Sequence, residues 1–121
     1  MTRAETIDAY CGAWNEQNAE ARSVLLRRSV TSDIIYVDPA VRITGITALV
    51  RHIDSVFARY PNSRIVRTSA IDYHHTWARF AWKKVLADGN SLPDGVDIVE
   101  FEEDGRLRRV IGFFGPMTVD F

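Results

Sequence analysis

The sequence predicts an α+β fold, in which three N-terminal helices pack on one face of a curved antiparallel β-sheet. Apolar residues recur at helical spacing in three segments before position 61, whereas from Arg64 onward they recur mostly at every second position. Helices therefore precede most of the strands, which is the order typical of the α+β class. With 121 residues and 46% hydrophobic content, the chain is expected to form one domain over residues 1–121.

The first helix is expected at about residues 2–15. Its apolar stripe follows the i, i+3, i+4, i+7 pattern, at Ile7, Tyr10, Cys11 and Trp14. This spacing turns Tyr10 toward the core. Cys11 is the only cysteine, which excludes an intramolecular disulfide and leaves it the role of a small core residue.

Two more helices and a strand complete the first half of the chain. The second helix begins at the capping residue Asn18 and ends near residue 30, and the third begins after a glycine and covers about residues 46–60. Between them, residues 33–38 are β-branched and aromatic and predict a strand. Alternation places Tyr36 and Asp38 on the same face of this strand.

The second half of the chain is expected to be an antiparallel meander of four strands. The candidate strands are separated by two histidines, by a polar loop at 88–95 and by an Asp-Gly turn: Arg64–Tyr73, Trp77–Leu86, Val96–Glu102 and Leu107–Phe114. Helices on one face of such a sheet leave room for a cavity between the two layers.

Charge and hydropathy exclude several classes of partner. The formal net charge is −1, so no positive excess indicates nucleic acid or an anionic membrane. No apolar run approaches the roughly 18 residues that a membrane span needs. The single cysteine fits a reducing compartment, so a cytoplasmic location is expected.

Three polar residues on apolar faces indicate a proton-transfer site. Tyr10 lies on the inner stripe of the first helix, Asp38 ends a strand before a proline, and Asp97 alternates with Val99 and Phe101. A carboxylate on a buried face is costly, because water solvates its charge better than protein does. Enolisation beside a carbonyl needs such a base, together with hydrogen-bond donors aimed at the oxygen where charge develops.

Each of these residues also has a structural explanation. Asp38 can cap a turn, since Asp-Pro often begins one. Asp97 can form a salt bridge with Arg79 on the neighbouring strand. Tyr10 can be a half-buried aromatic residue whose hydroxyl reaches solvent or a carbonyl.

The order helix, helix, strand, helix and then long antiparallel strands resembles the NTF2-like superfamily, a cone-shaped α+β fold. Within it, the motifs resemble the ketosteroid isomerase and SnoaL-like polyketide cyclase branch. The matching features are Tyr10 on the first helix, Asp38 before Pro39, Gly45 before the third helix and Asp97 on the penultimate strand.

This resemblance implies a cofactor-free enzyme that binds a small apolar molecule. It assigns Asp38 as the base that shuttles a proton next to a carbonyl, and Tyr10 and Asp97 as joint donors to the oxyanion. In the ketosteroid isomerases themselves, the corresponding Asp is kept neutral so that it donates a hydrogen bond. The family also includes cyclases, dehydratases and non-catalytic modules that bind ligands or dimerise, and these stay open as alternatives. Ile53 stands where the isomerases carry a supporting tyrosine.

Histidines offer a different base but no metal site. His74 and His75 are neighbours in a strand region, so only one of them can point into a pocket, and His75 is the first choice. His52 is expected to face outward from the third helix. Three histidines and one cysteine provide no ligand spacing for zinc or iron, so neither a metal nor a cofactor is expected.

Aromatic residues are more numerous than one small cavity requires. Six residues are expected to line the pocket: Trp14, Tyr36, Phe57, His75, Trp82 and Phe101. The strands carry apolar residues on both faces, as in Phe80 and Trp82 against Trp77 and Val85. Since a sheet with one wet face would keep that side polar, a homodimer through the outer face is expected.

Overall fold

A computed structural model describes residues 1–120, which form three helices and seven strands. The helices are α1 (Arg3–Ala13), α2 (Ala19–Ser29) and α3 (Ile46–Arg59). The strands are β1 (Val30–Val37), β2 (Arg42–Thr44), β3 (Arg64–Arg67), β4 (Asp72–His74), β5 (Trp77–Val85), β6 (Gly95–Phe101) and β7 (Leu107–Phe114). The α+β class is confirmed.

The strands form one mixed sheet in the order β2-β1-β7-β6-β5-β3, with β4 also pairing with β5. The β3, β5, β6 and β7 pairings are antiparallel, as the meander predicted. However, β1 pairs with β7 in parallel, so the expectation of a wholly antiparallel sheet is wrong at this pair. The alternation of apolar and polar residues indicates which face of the sheet a residue occupies. It does not indicate whether two strands about seventy residues apart pair in parallel or antiparallel.

Two strand boundaries differ from the expectation. The predicted strand at 64–73 is divided into β3 and β4. The division occurs because the Ala81 amide donates to the Ser69 hydroxyl (2.8 Å), and not to a backbone carbonyl as in a regular sheet. The loop after Pro39 contains the short strand β2, which pairs with β1.

Local capping explains where the first two helices begin. Thr2 caps α1 in a capping box, in which its side chain accepts from the Glu5 amide and the Glu5 carboxylate accepts from the Thr2 amide. The Asn18 side chain accepts from the Ala21 amide at the start of α2. Arg27 and Arg28 then occupy the last turn of α2, where cations suit the helix dipole.

The core lies between the helices and the inner face of the sheet. Its fully buried members come from both layers: Ile7, Tyr10, Leu26, Ile34, Leu49, Ile53, Val99 and Val110. Arg22 on α2 is also buried, where it pairs with Asp54 of α3 and stacks on the Phe57 ring. This contact ties α2 to α3 and fixes one end of the space above the sheet. Within residues 1–120, no helix is both long and apolar enough to cross a bilayer.

Candidate functional site

A cavity of about 460 Å³ lies between the helices and the inner face of the sheet. Its wall is largely aromatic, and the rings include Trp14, Tyr36, Tyr60, Phe80 and Trp82. Polar and ionisable groups interrupt this apolar wall, among them Tyr10, Asp38, His52, Arg59, Lys84 and Asp97. An apolar pocket with a few convergent polar groups is the usual form of a small-molecule site.

The register of three strands brings Asp38 and Asp97 together around Gly112. Asp97 of β6 pairs directly with Gly112 of β7, and Val37 of β1 pairs with Ile111, so Asp38 follows beside Gly112. A Cβ atom at Gly112 would lie 3.0 Å from the Asp97 Oδ1 atom and 3.6 Å from the Asp38 Cβ atom. The absence of a side chain at position 112 therefore leaves space for both acids.

Asp97 faces the cavity and is positioned by Trp82. The Trp82 indole Nε1 donates to the Asp97 Oδ1 atom at 3.0 Å. Gly95 makes this possible, because a Cβ atom there would overlap the indole ring. Burial raises the pKa of Asp97 to about 7, against the opposing effect of the Trp82 donor, and the Asp38 charge raises it further. Asp97 is therefore neutral, and able to donate, over much of the acidic and neutral range.

The alternative that pairs Asp97 with Arg79 is wrong. Arg79 lies on the opposite face of β5, where its Nε atom donates to Asp72 at 3.0 Å and both side chains are exposed. Among the described residues, Asp97 has no salt bridge to any cation.

Asp38 both closes a turn and lines the cavity. Its Oδ1 atom accepts from the backbone amides of Ala40 (2.8 Å) and Val41 (3.1 Å), which closes the turn after β1. Its Oδ2 atom accepts from the Tyr36 hydroxyl at 2.7 Å. Alternation along β1 explains this pair, since Tyr36 and Asp38 are two residues apart on the inner face. The three hydrogen bonds fix the orientation of the carboxylate at the cavity wall.

Tyr10 lies inward, as the helical spacing predicted. The residue is 1% exposed, and its hydroxyl has no hydrogen-bond partner among residues 1–120. The alternative that its hydroxyl reaches solvent or a carbonyl is therefore wrong. Burial raises the pKa of Tyr10, and the nearby charge of Asp97 adds to this effect. The phenol thus keeps its proton at neutral pH, and Tyr10 is one of the residues that line the cavity.

His52 lines the cavity, so the expectation that it faces outward is wrong. Its Nε2 atom lies 3.9 Å from the Asp38 Oδ2 atom, and its ring lies 5.6 Å from the Tyr36 ring centroid. Burial lowers the pKa of His52, although the Asp38 charge acts in the opposite direction. The sequence contained the signal, because position 52 is three residues after Leu49 and four before Val56, on the inner side of α3.

Three of the six residues expected to line the pocket do so: Trp14, Tyr36 and Trp82. Phe57 instead packs beneath the Arg22 guanidinium, 4.0 Å from the ring centroid. Phe101 is buried beneath Arg3, at 4.8 Å. His75 is exposed in the turn between β4 and β5, where its left-handed backbone (φ +53°) directs the chain back into the sheet.

Lys84 was missed by the sequence interpretation. Its ammonium lies 5.5 Å from the Trp14 ring centroid and 5.9 Å from that of Tyr60, and the residue is only 8% exposed. Alternation along β5 places it on the same inner face as Phe80 and Trp82, so the period-two pattern already contained this signal.

No group of three or more His, Cys, Asp and Glu side chains with the geometry of a metal site occurs in residues 1–120. The expectation that the protein uses neither a metal nor a cofactor stays a prediction. Cys11 packs partly buried against the core, and burial raises the pKa of its thiol to about 12, so it is not an activated nucleophile.

Comparisons with known proteins identify the fold. No family model and no curated protein matches the sequence. Among solved structures, a candidate isomerase of the SnoaL-like family from Agrobacterium tumefaciens strain C58 is 28% identical, with a TM-score of 0.88. The match covers 94% of this chain and 97% of the other.

Two further structures support the fold at lower identity. A candidate SnoaL-like polyketide cyclase from Jannaschia sp. CCS1 is 13% identical, with a TM-score of 0.75, over 92% of this chain and 83% of the other. An NTF2-like protein of unknown function from Exiguobacterium sp. 255-15 is 19% identical, with a TM-score of 0.71, over 93% and 99% of the two chains. The chain therefore has the NTF2-like fold, and the solved structures that it is similar to include members of the SnoaL-like branch.

Proposed function

We propose that the protein is a cofactor-free enzyme that moves a proton next to the carbonyl of an apolar substrate, in the manner of ketosteroid isomerases. Asp38 is the base, and Tyr10 and neutral Asp97 donate to the carbonyl oxygen. The observation that carries this proposal is the Tyr10 hydroxyl, which is buried without a partner among the described residues and belongs to a residue of the cavity wall. A buried donor without a partner destabilises a protein by about 1–3 kcal/mol. A ligand oxygen that accepts from the Tyr10 hydroxyl would explain why the protein keeps this donor.

In the proposed reaction, the Asp38 carboxylate takes a proton from the carbon next to the carbonyl. The electron pair of that C–H bond forms a carbon–carbon double bond, and the carbonyl oxygen gains the negative charge. Tyr10 and Asp97 then donate hydrogen bonds to this oxygen, which lowers the energy of the enolate. Asp38 returns the proton to the same carbon or to a conjugated one, so the step is an isomerisation or an exchange without net oxidation.

Two features support Asp38 as the base. The Tyr36 hydroxyl and two backbone amides hold the carboxylate in a fixed orientation, so that it is already positioned when the substrate binds. Gly112 leaves the space between Asp38 and Asp97 free of side-chain atoms. The neighbouring structures described as a candidate isomerase and a candidate polyketide cyclase are consistent with chemistry at a carbonyl-activated carbon.

His52 is the alternative base. Its Nε2 atom lies 3.9 Å from the Asp38 Oδ2 atom in the same cavity, and burial lowers its pKa, so a neutral imidazole is present at pH 7. His52 takes the place of His75 as the alternative base, because His75 lies outside the cavity.

The test is deuterium exchange at the α-carbon of a panel of apolar ketones in D₂O, followed by proton NMR. The wild-type protein is expected to accelerate exchange for at least one ketone, and Asp38→Asn to reduce that rate by about 100-fold or more, as loss of a general base does. Asp72→Asn is the matched control, because it removes an exposed carboxylate outside this cavity. Undiminished exchange in Asp38→Asn would reject Asp38 as the base and make His52→Gln the next variant to measure.

A non-catalytic binding module is the second candidate. The observation that favours it is the turn that Asp38 closes, because this gives the carboxylate a structural reason to be present. A protein that binds apolar phenols but exchanges no ketone of the panel would support this candidate over the enzyme.

A further inference from the structure

Lys84 places a buried positive charge in the cavity without a counter-charge. Its side chain extends from the inner face of β5, and the residue is 8% exposed. Among residues 1–120, its ammonium has neither a salt bridge nor a hydrogen bond; its nearest described companions are the Trp14 and Tyr60 rings, at 5.5 and 5.9 Å. Burial lowers the pKa of Lys84.

This arrangement is costly for a residue that only fills space. Transfer of an ammonium out of water is unfavourable unless an anion or several acceptors compensate it. Contacts with the faces of aromatic rings offset only part of that cost. Lysines usually extend their charged ends to solvent, whereas Lys84 is only 8% exposed and belongs to the cavity wall.

Lys84 lies at a distance from the proton-transfer groups. Phe80 is the residue of β5 that pairs with Asp97, and Lys84 follows four residues later on the same face. At the rise of an antiparallel strand this separates their backbones by about 13 Å. Trp82 lies between them and donates to Asp97. Asp97 and Lys84 therefore lie on separate parts of the cavity wall.

A second cation lies at the Lys84 end. Arg59, at the end of α3, lines the cavity, and its guanidinium lies 6.0 Å from the Tyr60 ring centroid. The side chain is exposed, so it adds positive potential around the cavity without being buried itself. An anion that approaches this end is attracted before it reaches Lys84.

We infer that the substrate is an apolar carbonyl compound that also carries a carboxylate, with the carbonyl oxygen at Tyr10 and Asp97 and the carboxylate at Lys84. This inference rests on the proposed function and names its substrate class. A carboxylate fits better than a phosphate, because Lys84 is one compact point charge. Phosphate sites add a ring of backbone amides or a bidentate arginine to such a charge, whereas the one arginine at this end, Arg59, is exposed.

The test compares four ligands by isothermal titration calorimetry: naphthalene, 2-naphthol, 6-hydroxy-2-naphthoate and its methyl ester. The wild-type protein is expected to bind the carboxylate at least about tenfold more tightly than the ester, which corresponds to about 1.4 kcal/mol, because only the carboxylate supplies an anion for Lys84. Lys84→Met should reduce this preference to about twofold or less, and Lys84→Arg should restore part of it. Lys83→Met is the matched control, because Lys83 lies on the opposite face of β5 and is absent from the cavity wall.

The two proposals fail separately. Equal binding of the carboxylate and the ester by the wild-type protein, or a carboxylate preference that survives in Lys84→Met, would overturn the inference about Lys84. Equal binding of 2-naphthol and naphthalene would instead contradict the oxyanion site. Thermal unfolding is the folding check for Lys84→Met, and the variant is expected to melt at the same temperature as the wild type or higher, because it removes an unpaired buried charge.

Discussion

Asp38, which directly follows β1, and Asp97 of β6 lie on either side of Gly112, and both strands pair with β7. The pairing of β1 with β7 is parallel and that of β6 with β7 is antiparallel. Two acids that are 59 positions apart in the sequence therefore meet on the two sides of β7. Of the two pairings, the sequence predicted only the second. The mixed sheet is therefore what brings a candidate base and a candidate donor into the same cavity.

Gly112→Ala tests this relationship. The added Cβ atom would lie 3.0 Å from the Asp97 Oδ1 atom, which is tighter than ordinary van der Waals contact and displaces the carboxyl group. We expect a loss of stability of about 1–3 kcal/mol and loss of ketone exchange. Urea unfolding and NMR measure the two effects.

Gly12→Ala is the control for Gly112→Ala. A Cβ atom at position 12 would meet the Leu25 side chain at an ordinary 3.7 Å. In helix α1 this change should stabilise the protein by about 0.5–1 kcal/mol without affecting exchange. Wild-type exchange rates in Gly112→Ala would show that the space beside Asp97 has no role in the chemistry.

Stability should fall with rising pH because of Asp97. Its folded pKa is raised from 3.8 to about 7, so the unfolded state releases the proton first and the unfolding free energy decreases between about pH 4 and pH 7. At 1.36 kcal/mol per pKa unit, this cost amounts to about 4 kcal/mol above pH 7. Asp97→Asn should remove it and stabilise the protein by about 1–3 kcal/mol at pH 8. Urea unfolding at several pH values gives the comparison, and a loss of about 3 kcal/mol or more in the variant would indicate a broken buried ion pair.

The rate of ketone exchange should depend on the protonation state of Asp97. Because Asp97 donates only in its neutral form, ketone exchange by the wild-type protein is expected to decline as the pH rises past about 7, the pKa of the buried acid. The Asp97→Asn variant keeps a hydrogen-bond donor at every pH. Its exchange is expected to be slower, but its rate should not decline as the pH rises past about 7. An identical decline in both proteins would assign the titration to another group.

Much of the candidate site followed from the sequence, because its residues obey simple periodicity. The helical spacing around Tyr10 and the alternation of Tyr36 with Asp38 placed these side chains on the inner face, where the structure has them. His52 and Lys84 obey the same periods. They were missed because charged or titratable residues are usually assigned to solvent.

Other features had no local signal. Phe57 and Phe101 carry the same aromatic pattern as the residues that line the cavity, but Arg22 and Arg3 cover them from distant elements. His75 left the cavity because its left-handed backbone makes a turn there. Such placements depend on contacts between elements far apart in the chain, which periodicity does not report.

A homodimer through the outer face of the sheet stays a prediction. Val96 and Phe113 are cross-strand partners on that face and are 37% and 59% exposed. Phe113→Glu should produce a monomer by placing a charge in the apolar interface, whereas Val24→Glu, on the exposed face of α2, should leave the dimer intact. Sedimentation equilibrium at micromolar concentration gives the masses, and a wild-type protein with the monomer mass would contradict the prediction.

Binding of 2-naphthol and naphthalene to the wild-type protein and to Tyr10→Phe tests the central claim, the oxyanion site, most directly. The naphthol oxygen resembles an enolate oxygen, and naphthalene leaves the donors of Tyr10 and Asp97 unpaired. The wild-type protein should prefer 2-naphthol by at least about tenfold, and Tyr10→Phe should lose most of this preference while it folds normally. Equal affinity of the wild-type protein for the two compounds, or an unchanged preference in Tyr10→Phe, would contradict the account.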